Sequence, residues 1–316
     1  MKYSIIFNQI MILAIIIVIG FIATKSKFVS IEVKDSIAKL INKITMPSLI
    51  ITSITNLNIN KSMLKNGIIL VVFAYIFLIL LYIFGILSSK LMHLEGKTKD
   101  IHTAHIIFGN VVFLGFPLFQ ALYPNGQGMF YAIFFYIASD SLLWTLGIFL
   151  IGRNKSEGLR HKQGLKHLLN LNTISFTLGI AMLFLGIKLP LLLNDSLSNL
   201  GHTTTYLAMI FIGGTLSTIK LKGISKRYSV FVLAFIKMIV VPLIALITIN
   251  FIGNVFGMEI SKVAKTVLIL QLAMPCMATV AVLAKEFDSD YIYSAECVFI
   301  STVLSFVTIP FIYTLI

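Results

Sequence analysis

Residues 109–117 read GNVVFLGFP and residues 271–279 read QLAMPCMAT, and each stretch lies within a long apolar run. Proline lacks a backbone N–H and clashes with the preceding turn, so each stretch is expected to interrupt a helix. The residue numbers of Pro117 and Pro275 differ by 158, which is half of the 316-residue chain. This spacing predicts an internal repeat with one interrupted helix in each half.

The composition excludes a water-soluble globule. The chain is 58% hydrophobic and 12% charged, with a mean hydropathy of +0.98, whereas an ordinary soluble domain is about 25% charged. The apolar excess must therefore face lipid, where only helices and closed barrels satisfy their backbone. The apolar runs are continuous and too long for barrel strands. The predicted fold is an all-α polytopic membrane protein.

The lengths of the apolar runs predict ten transmembrane helices. A lipid core of about 30 Å requires about 20 apolar residues for each helix. The second and seventh runs contain the most polar residues and are expected to pack inside the bundle. The predicted spans are 4–24, 36–56, 66–89, 101–122, 128–151, 171–187, 197–217, 229–252, 264–284 and 291–315.

The loop charges predict how these spans cross the membrane, because cytoplasmic loops carry the excess of Lys and Arg. Sixteen such residues follow the odd-numbered spans, six lie on the other side, and Lys39, Lys43 and Lys237 lie within spans. This bias predicts a multi-pass protein of the cell (cytoplasmic) membrane with both termini extracytoplasmic. Loop anchors also account for the net charge of +13, so we expect no nucleic-acid partner.

Five spans in each half require the halves to insert in opposite orientations. The predicted repeats are residues 1–158 and 159–316, with Pro117 in the fourth span and Pro275 in the ninth. Inverted repeats with interrupted helices are typical of secondary transporters, whose substrates bind where those helices lose regular structure. The sequence therefore predicts a shared site at the two interruptions.

Ionisable residues deep within predicted spans require an explanation, since a charge at the bilayer centre is costly. Asp140 and Lys237 lie at similar depths, which indicates either a buried ion pair or groups that meet a substrate or coupling ion. Glu296 lies near the start of the tenth span and is expected to reach the cytoplasmic interface, with a buried or coupling charge as the alternative. His102 and His105 are expected to be hydrogen-bonded structural residues rather than a proton relay.

The chain resembles the auxin efflux carrier family of the bile acid/sodium symporter-like superfamily. Members of this family include the plant PIN-FORMED auxin exporters and bacterial carriers assigned to malate or malonate. The likeness extends from end to end, and its most specific parts are Asn110 with Gly115-Phe-Pro117, and Pro275 followed by Lys285-Glu-Phe287. The resemblance implies an elevator-type transporter in which spans 1, 2, 6 and 7 form a scaffold. Spans 3–5 and 8–10 would form a transport domain, with broken crossover helices 4 and 9 at the substrate.

The resemblance also assigns residues to the site. Asn110 matches an asparagine that helps to hold the substrate carboxylate in the plant exporters. Cys276 and Val280 depart from the plant pattern, which has glutamine and proline there, so auxin itself is in doubt more than the fold. The predicted substrate-binding residues are Asn110, Pro117, Gln271, Pro275, Cys276 and Thr279, with hydroxyls of Thr52 and Ser53 from the scaffold.

These patterns predict a secondary transporter that moves a small organic anion, such as malate, malonate or an auxin-like acid, by alternating access. A channel or a transporter-like receptor stays open as the alternative. An intramembrane enzyme is not expected, because H-E-x-x-H and G-x-S-x-G are absent. We expect no metal site or cofactor, and leave open Na⁺ coupling, H⁺ coupling and uniport. The expected partners are the organic acid and the bilayer, with a homodimer through the scaffold helices also considered.

Overall fold

A computed structural model describes residues 2–57, 59–153, 170–219, 228–257 and 260–316. Every regular element within these ranges is a helix, and the isolated bridge in them joins Gly109 to Cys276. The all-α prediction is therefore confirmed for this part of the chain. The basic segments 154–169 and 220–227, which contribute to the predicted charge bias, lie outside the described residues.

Six helices in the described ranges are long and apolar enough to cross a membrane. They coincide with predicted spans 1, 2, 3, 5, 8 and 10, and they establish a multi-pass membrane protein. Their bounds are Phe7–Lys25, Ile31–Thr55, Lys61–Leu91, Gln127–Ile151, Tyr228–Val255 and Tyr291–Leu315.

The other four predicted spans take different forms. Spans 4 and 9 are each divided into shorter helices by a non-helical segment. Span 6 is a 14-residue apolar helix, Leu171–Phe184. Span 7 is a 28-residue helix, Leu191–Thr218, whose polar residues keep it out of the apolar group of six. The ten-helix inverted repeat stays a prediction.

The α-helices of the described ranges are numbered here in chain order, and several of them continue one another along a single span. They are α1 (Lys2–Lys25), α2 (Ile31–Leu40), α3 (Met46–Thr55), α4 (Lys61–Leu91), α5 (Gly96–Ile107), α6 (Phe116–Leu122), α7 (Gln127–Leu142), α8 (Ile148–Ile151), α9 (Leu171–Phe184), α10 (Leu191–Thr218), α11 (Tyr228–Phe235), α12 (Val241–Phe256), α13 (Lys262–Leu272), α14 (Ala278–Glu286) and α15 (Tyr291–Leu315).

Short π-helical segments precede three of the prolines. A proline cannot donate to the preceding turn, and a wider π turn accommodates it without ending the helix. The segments are Ile41–Thr45 before Pro47, Val111–Gly115 before Pro117, and Ile236–Val240 before Pro242.

The interruption of span 4 does not lie at Pro117, contrary to the prediction. Helix α5 ends at Ile107, and the non-helical residues are Phe108, Gly109 and Asn110. Pro117 instead follows the π-helical segment Val111–Gly115, which accommodates the proline within a continuous helix. Pro275 does lie within its interruption, between α13 and α14. The 158-residue spacing of the prolines is therefore not the spacing of the two interruptions.

The chain divides into two compact units. The first contains predicted spans 1, 2, 6 and 7 together with the second half of span 4 and the beginning of span 5. The second contains the remaining residues, including the interruptions of spans 4 and 9. The first unit is Met1–Leu64, Val112–Ile133 and Leu169–Thr218, and the second is Lys65–Val111, Phe134–Leu168 and Ile219–Ile316.

Within the first unit, α1 packs along α10, and glycines allow the two backbones to approach. A Cβ atom on Gly20 would lie 2.5 Å from the carbonyl oxygen of Ile210, and one on Gly213 would overlap the carbonyl oxygen of Ile17. Small residues at such crossings are typical of membrane helices, because close backbone contact replaces the hydrophobic driving force available in water.

Within the second unit, α15 lies at the centre of the packing and contacts α5, α11, α13 and α14. Its buried face carries hydroxyls as well as apolar side chains, including Ser294, Ser301, Thr302 and Ser305. These hydroxyls are available to polar groups of neighbouring helices, and two of them bond to residues near the interruptions.

Candidate functional site

The two helix interruptions bond to each other through their backbones. The N–H of Asn110 donates to the carbonyl oxygen of Pro275 at 2.7 Å, and the N–H of Met277 donates to that of Phe108 at 3.2 Å. Gly109 faces Cys276 as an antiparallel bridge. Unpaired backbone groups are costly at membrane depth. Each interruption therefore supplies hydrogen-bond partners for backbone groups of the other that lack them within their own helix.

Gly109 is the point of closest approach between the interruptions. A Cβ atom there would lie 3.1 Å from the Cβ atom of Met274 and 3.3 Å from its carbonyl oxygen. The carbonyl oxygen of Gln271 would be 3.6 Å away. A larger residue would therefore force the two segments apart, which gives a steric reason for glycine before Asn110.

Two amide side chains at this junction are buried and retain polar atoms without partners. Asn110 is 2% exposed and Gln271 is 1% exposed. The Oδ1 atom of Asn110, and both Nε2 and Oε1 of Gln271, have no hydrogen-bond partner among the described residues. Leaving a buried polar group unpaired costs about 1–3 kcal/mol. Such groups in a folded protein indicate a place where a ligand or water completes the bonding.

Lys237 carries a buried amine to the end of α5. Its side chain is 1% exposed, and its Nζ donates to the carbonyl oxygen of Ile106 at 2.8 Å. Carbonyl groups in the last turn of a helix lack intrahelical donors, and the helix dipole favours a cation there. The positive group and the interruption of span 4 therefore belong to one site.

Cys276 links both interruptions to the last helix. Its N–H donates to the hydroxyl oxygen of Ser301 at 2.9 Å, and its thiol lies 3.8 Å from the carbonyl oxygen of His105. Cys276 and Cys297 are both buried and free. Ser301 has a role at the site that sequence reasoning missed, because it is one of several hydroxyls along α15.

Of the two alternatives for Asp140 and Lys237, the ion pair is not found among the described residues. The Asp140 carboxylate accepts from the indole Nε1 of Trp144 at 3.1 Å, one turn along the same helical segment. The amine of Lys237 binds the Ile106 carbonyl oxygen instead. The depths of the two residues were consistent with a pair, but depth alone does not determine which way a side chain points.

Glu296 does not reach the surface, so the prediction that it extends to the interface is wrong. Its side chain is buried within the second unit, with 1% of the residue exposed. The helix face that carries Glu296 is directed toward neighbouring helices rather than lipid. Glu296 is therefore a buried polar residue of α15.

The two histidines of α5 are hydrogen-bonded inside the second unit, as predicted. His102 lies between two hydroxyls, with Nε2 2.9 Å from Ser88 Oγ and Nδ1 2.8 Å from Tyr293 OH. His105 Nε2 lies 2.5 Å from the hydroxyl of Ser294. These bonds fix α5 to α4 and α15, and so position the end of α5 where the interruption begins.

The remaining predicted residues are distributed over both units. Thr279 is half-buried in the first turn of α14, in the second unit. Pro117, Thr52 and Ser53 belong to the first unit. The structure thus brings Asn110, Gln271, Pro275 and Cys276 together in the second unit, with Lys237 beside them.

Thr52 and Ser53 line a polar cleft within the first unit. The cleft has a volume of about 110 Å³, enough for several water molecules. Gln120 and His202 also line it, with Gln120 Nε2 2.6 Å from His202 Nδ1 and the Thr205 hydroxyl donating to Gln120 Oε1 at 2.7 Å. Sequence reasoning missed Gln120 and His202, although both are polar residues within predicted spans.

The described residues contain no group of three or more His, Cys, Asp or Glu side chains placed to hold a metal ion. The polar atoms at the helix interruptions are backbone carbonyls, amides, hydroxyls, the Cys276 thiol and the Lys237 amine. This set can bind a polar ligand through hydrogen bonds.

Comparison with known proteins agrees with this architecture. The chain belongs to the membrane transport protein family, of the auxin efflux carrier type, whose model matches residues 5–313. It is 29% identical to an uncharacterized transporter of Methanocaldococcus jannaschii over 317 residues, covering 96% of each chain. It is 25% identical to an uncharacterized transporter of Methanothermobacter thermautotrophicus over 308 residues, covering 94% of this chain and 93% of that one. The family and these relatives point to a transporter rather than an enzyme.

Proposed function

We propose that this protein is a secondary transporter that moves a small organic anion, such as malate, malonate or an auxin-like acid, across the cell membrane by alternating access. The observation that carries the proposal is the junction of the two interruptions. Buried amide atoms of Asn110 and Gln271 lack partners there, and the Lys237 amine lies at the same junction. The unpartnered Nε2 of Gln271 can donate to a carboxylate near the Lys237 amine, and the unpartnered Asn110 Oδ1 and Gln271 Oε1 can accept from a hydroxyl of the same acid.

The proposed architecture is ten membrane helices in two inverted halves, 1–158 and 159–316. Spans 1, 2, 6 and 7 would form a scaffold, and spans 3–5 and 8–10 a transport domain that moves against it. Support comes from the first compact unit, which holds all four proposed scaffold spans, and from the interruptions in spans 4 and 9. Interrupted helices of this kind hold substrates in other transporter folds.

In this proposal Asn110 and Gln271 bind the substrate, and Pro275, Cys276 and Thr279 shape the segment around it. Pro117, Thr52 and Ser53 complete the proposed set of substrate-binding residues. The proposed substrate partner is an organic acid, and a homodimer would form through the scaffold helices. The proposed orientation has both termini extracytoplasmic, and no cofactor is required.

The test is a ligand-dependent stability screen of detergent-purified protein against mono- and dicarboxylates and indole acids. We expect one acid to raise the melting temperature in a saturable way and to be taken up by proteoliposomes. Asn110→Asp keeps the side-chain shape but adds a negative charge, so it should abolish both effects. Asn250→Ala changes an exposed asparagine and serves as the matched control.

Two results would contradict the proposal. A screen in which no carboxylate stabilises folded protein or enters proteoliposomes would exclude an organic-anion substrate. Unchanged binding and uptake in Asn110→Asp would move the site away from the junction of the interruptions. Loss of uptake in Asn250→Ala would show that the assay responds to general damage, and the assignment to Asn110 would then fail.

A further inference from the structure

The C-terminal end of α5 exposes backbone carbonyls in the interior of the second unit. The carbonyl oxygens of His105, Ile106 and Phe108 point away from α5, since each accepts from a group outside that helix. A helix end carries partial negative charge. In broken-helix transporters, such half-helix C-terminal ends and unwound carbonyls coordinate the coupling cation.

In this protein the side chain of Lys237 reaches the C-terminal end of α5. The Nζ of Lys237 donates to the Ile106 carbonyl oxygen at 2.8 Å, and the residue is 1% exposed. Lys237 lies in the π-helical segment Ile236–Val240, which continues into a helix that begins with Val241-Pro242. A π turn redirects the side chains that it carries relative to a regular helix. The amine is thus fixed by the fold of another span.

The hydrogen-bond partner of the Lys237 amine in the described ranges is a backbone carbonyl oxygen, that of Ile106, rather than a carboxylate. The three ion pairs found in the described ranges are Lys34–Asp35, Lys97–Asp288 and Arg153–Asp100, and none includes Lys237. An ammonium bonded to a carbonyl oxygen at a helix end lies where a sodium ion would bind in other broken-helix transporters.

We propose that Lys237 is a tethered cation that takes the place of a coupling metal ion at the end of α5, so that this junction assembles without Na⁺ or Li⁺. Lys237 is then a positioning residue, because it holds the carbonyl end of α5 in place for the partner interruption. A second cation at the same carbonyls would be repelled by the ammonium. The consequence for transport rests on the function proposed above, whereas the role of Lys237 in assembly does not.

The test compares the melting temperature of detergent-purified protein in NaCl, LiCl and choline chloride at equal ionic strength. We expect wild-type protein to melt within about 1 °C in all three salts. Lys237→Met removes the ammonium, so it should melt lower in choline chloride and recover by about 3 °C or more in NaCl, with saturation. Lys237→Arg keeps a cation and should show no sodium response.

Lys265→Met is the matched control, since Lys265 is a half-buried lysine of the same unit that bonds to Asn250. It should behave like wild type in all salts. A saturable rise in the melting temperature of wild-type protein with Na⁺ or Li⁺ overturns the proposal. A folded Lys237→Met protein whose melting temperature does not respond to either ion also overturns it. If Lys237→Met does not fold, the wild-type and Lys237→Arg measurements decide, because a sodium response in either contradicts a tethered cation. No substrate is needed, so a failed search for the transported acid leaves this result unaffected.

Discussion

Ser301 is the side chain through which the last helix holds the interruption between α13 and α14. Its hydroxyl accepts the N–H of Cys276 at 2.9 Å and donates to the carbonyl oxygen of Cys297 at 2.6 Å. Ser305, about one turn further along, donates to the Thr302 carbonyl oxygen at 2.6 Å within its own helix. Both serines are buried, so they differ mainly in the bond that Ser301 receives from another segment.

We expect Ser301→Ala to lower the free energy of unfolding by about 1–3 kcal/mol, because it leaves the buried N–H of Cys276 without an acceptor. Thermal unfolding in detergent would measure this loss. Ser305→Ala is the control and should cost less, since its hydroxyl bonds to a carbonyl that already accepts within the helix. Equal losses in the two variants would argue against a role for Ser301 at the interruption.

At the scale of elements, the pairing of α1 with α10 depends on contact between backbones. Gly213 faces the backbone at Ile17, and Gly20 faces Ile210. Neither position has room for even one methyl group. A larger side chain there would push the two helices apart. The glycines therefore determine how closely the two helices pack within the first unit.

Gly213→Val should destabilise the first unit by about 1–3 kcal/mol or more, since three extra carbons would force the helices apart. The melting temperature of purified protein in detergent would report the change. Val18→Leu on α1 adds a carbon to a side chain that is 54% exposed, and it should be close to neutral. A Gly213→Val protein as stable as wild type would show that α1 and α10 can move apart freely.

At the scale of the whole molecule, the loop charges predict the orientation of the chain in the membrane. Lys90 follows the third predicted span and Lys188 follows the sixth, so they are expected on opposite sides. Both side chains are exposed. The native cysteines, Cys276 and Cys297, are buried, which leaves a low background for labelling of introduced cysteines.

We expect a membrane-impermeant maleimide to label Lys188→Cys on intact cells, and Lys90→Cys only after the cells are permeabilised. The reason is the excess of Lys and Arg in loops that follow odd-numbered spans. Wild-type protein is the control for the buried cysteines. Labelling of Lys90→Cys on intact cells would reverse the predicted orientation, and labelling of both sites would contradict the number of spans between them.

Much of the membrane architecture follows from composition along the chain. The six longest apolar helices, and the loss of helix in spans 4 and 9, follow from runs of apolar residues and from Gly109, Asn110 and Pro275. The prediction failed at Pro117, because a π-helical turn accommodates a proline that pattern reasoning treats as a break. Local backbone geometry of this kind depends on tertiary packing, which the amino-acid sequence does not show directly.

The sequence also led to Lys237, with an ion pair to Asp140 as one of two alternatives. A search for opposite charges at the same depth selects Asp140, whereas the structure gives the amine a backbone carbonyl at Ile106. Every residue has a backbone carbonyl, so no residue type in the sequence identifies the one that accepts from Lys237. Gln120 and His202 were missed for a related reason, since their bond joins residues 82 positions apart.

The arrangement of apolar runs is sufficient to establish an all-helical membrane protein, because lipid admits few other backbone structures. The sequence motifs of the protein are also sufficient to identify its family. Only the folded chain shows that the interruption of span 4 meets that of span 9 at Gly109 and Cys276, and that Lys237 closes the end of α5. These contacts join backbone groups far apart in the chain, and the paths of the intervening helices determine which groups meet.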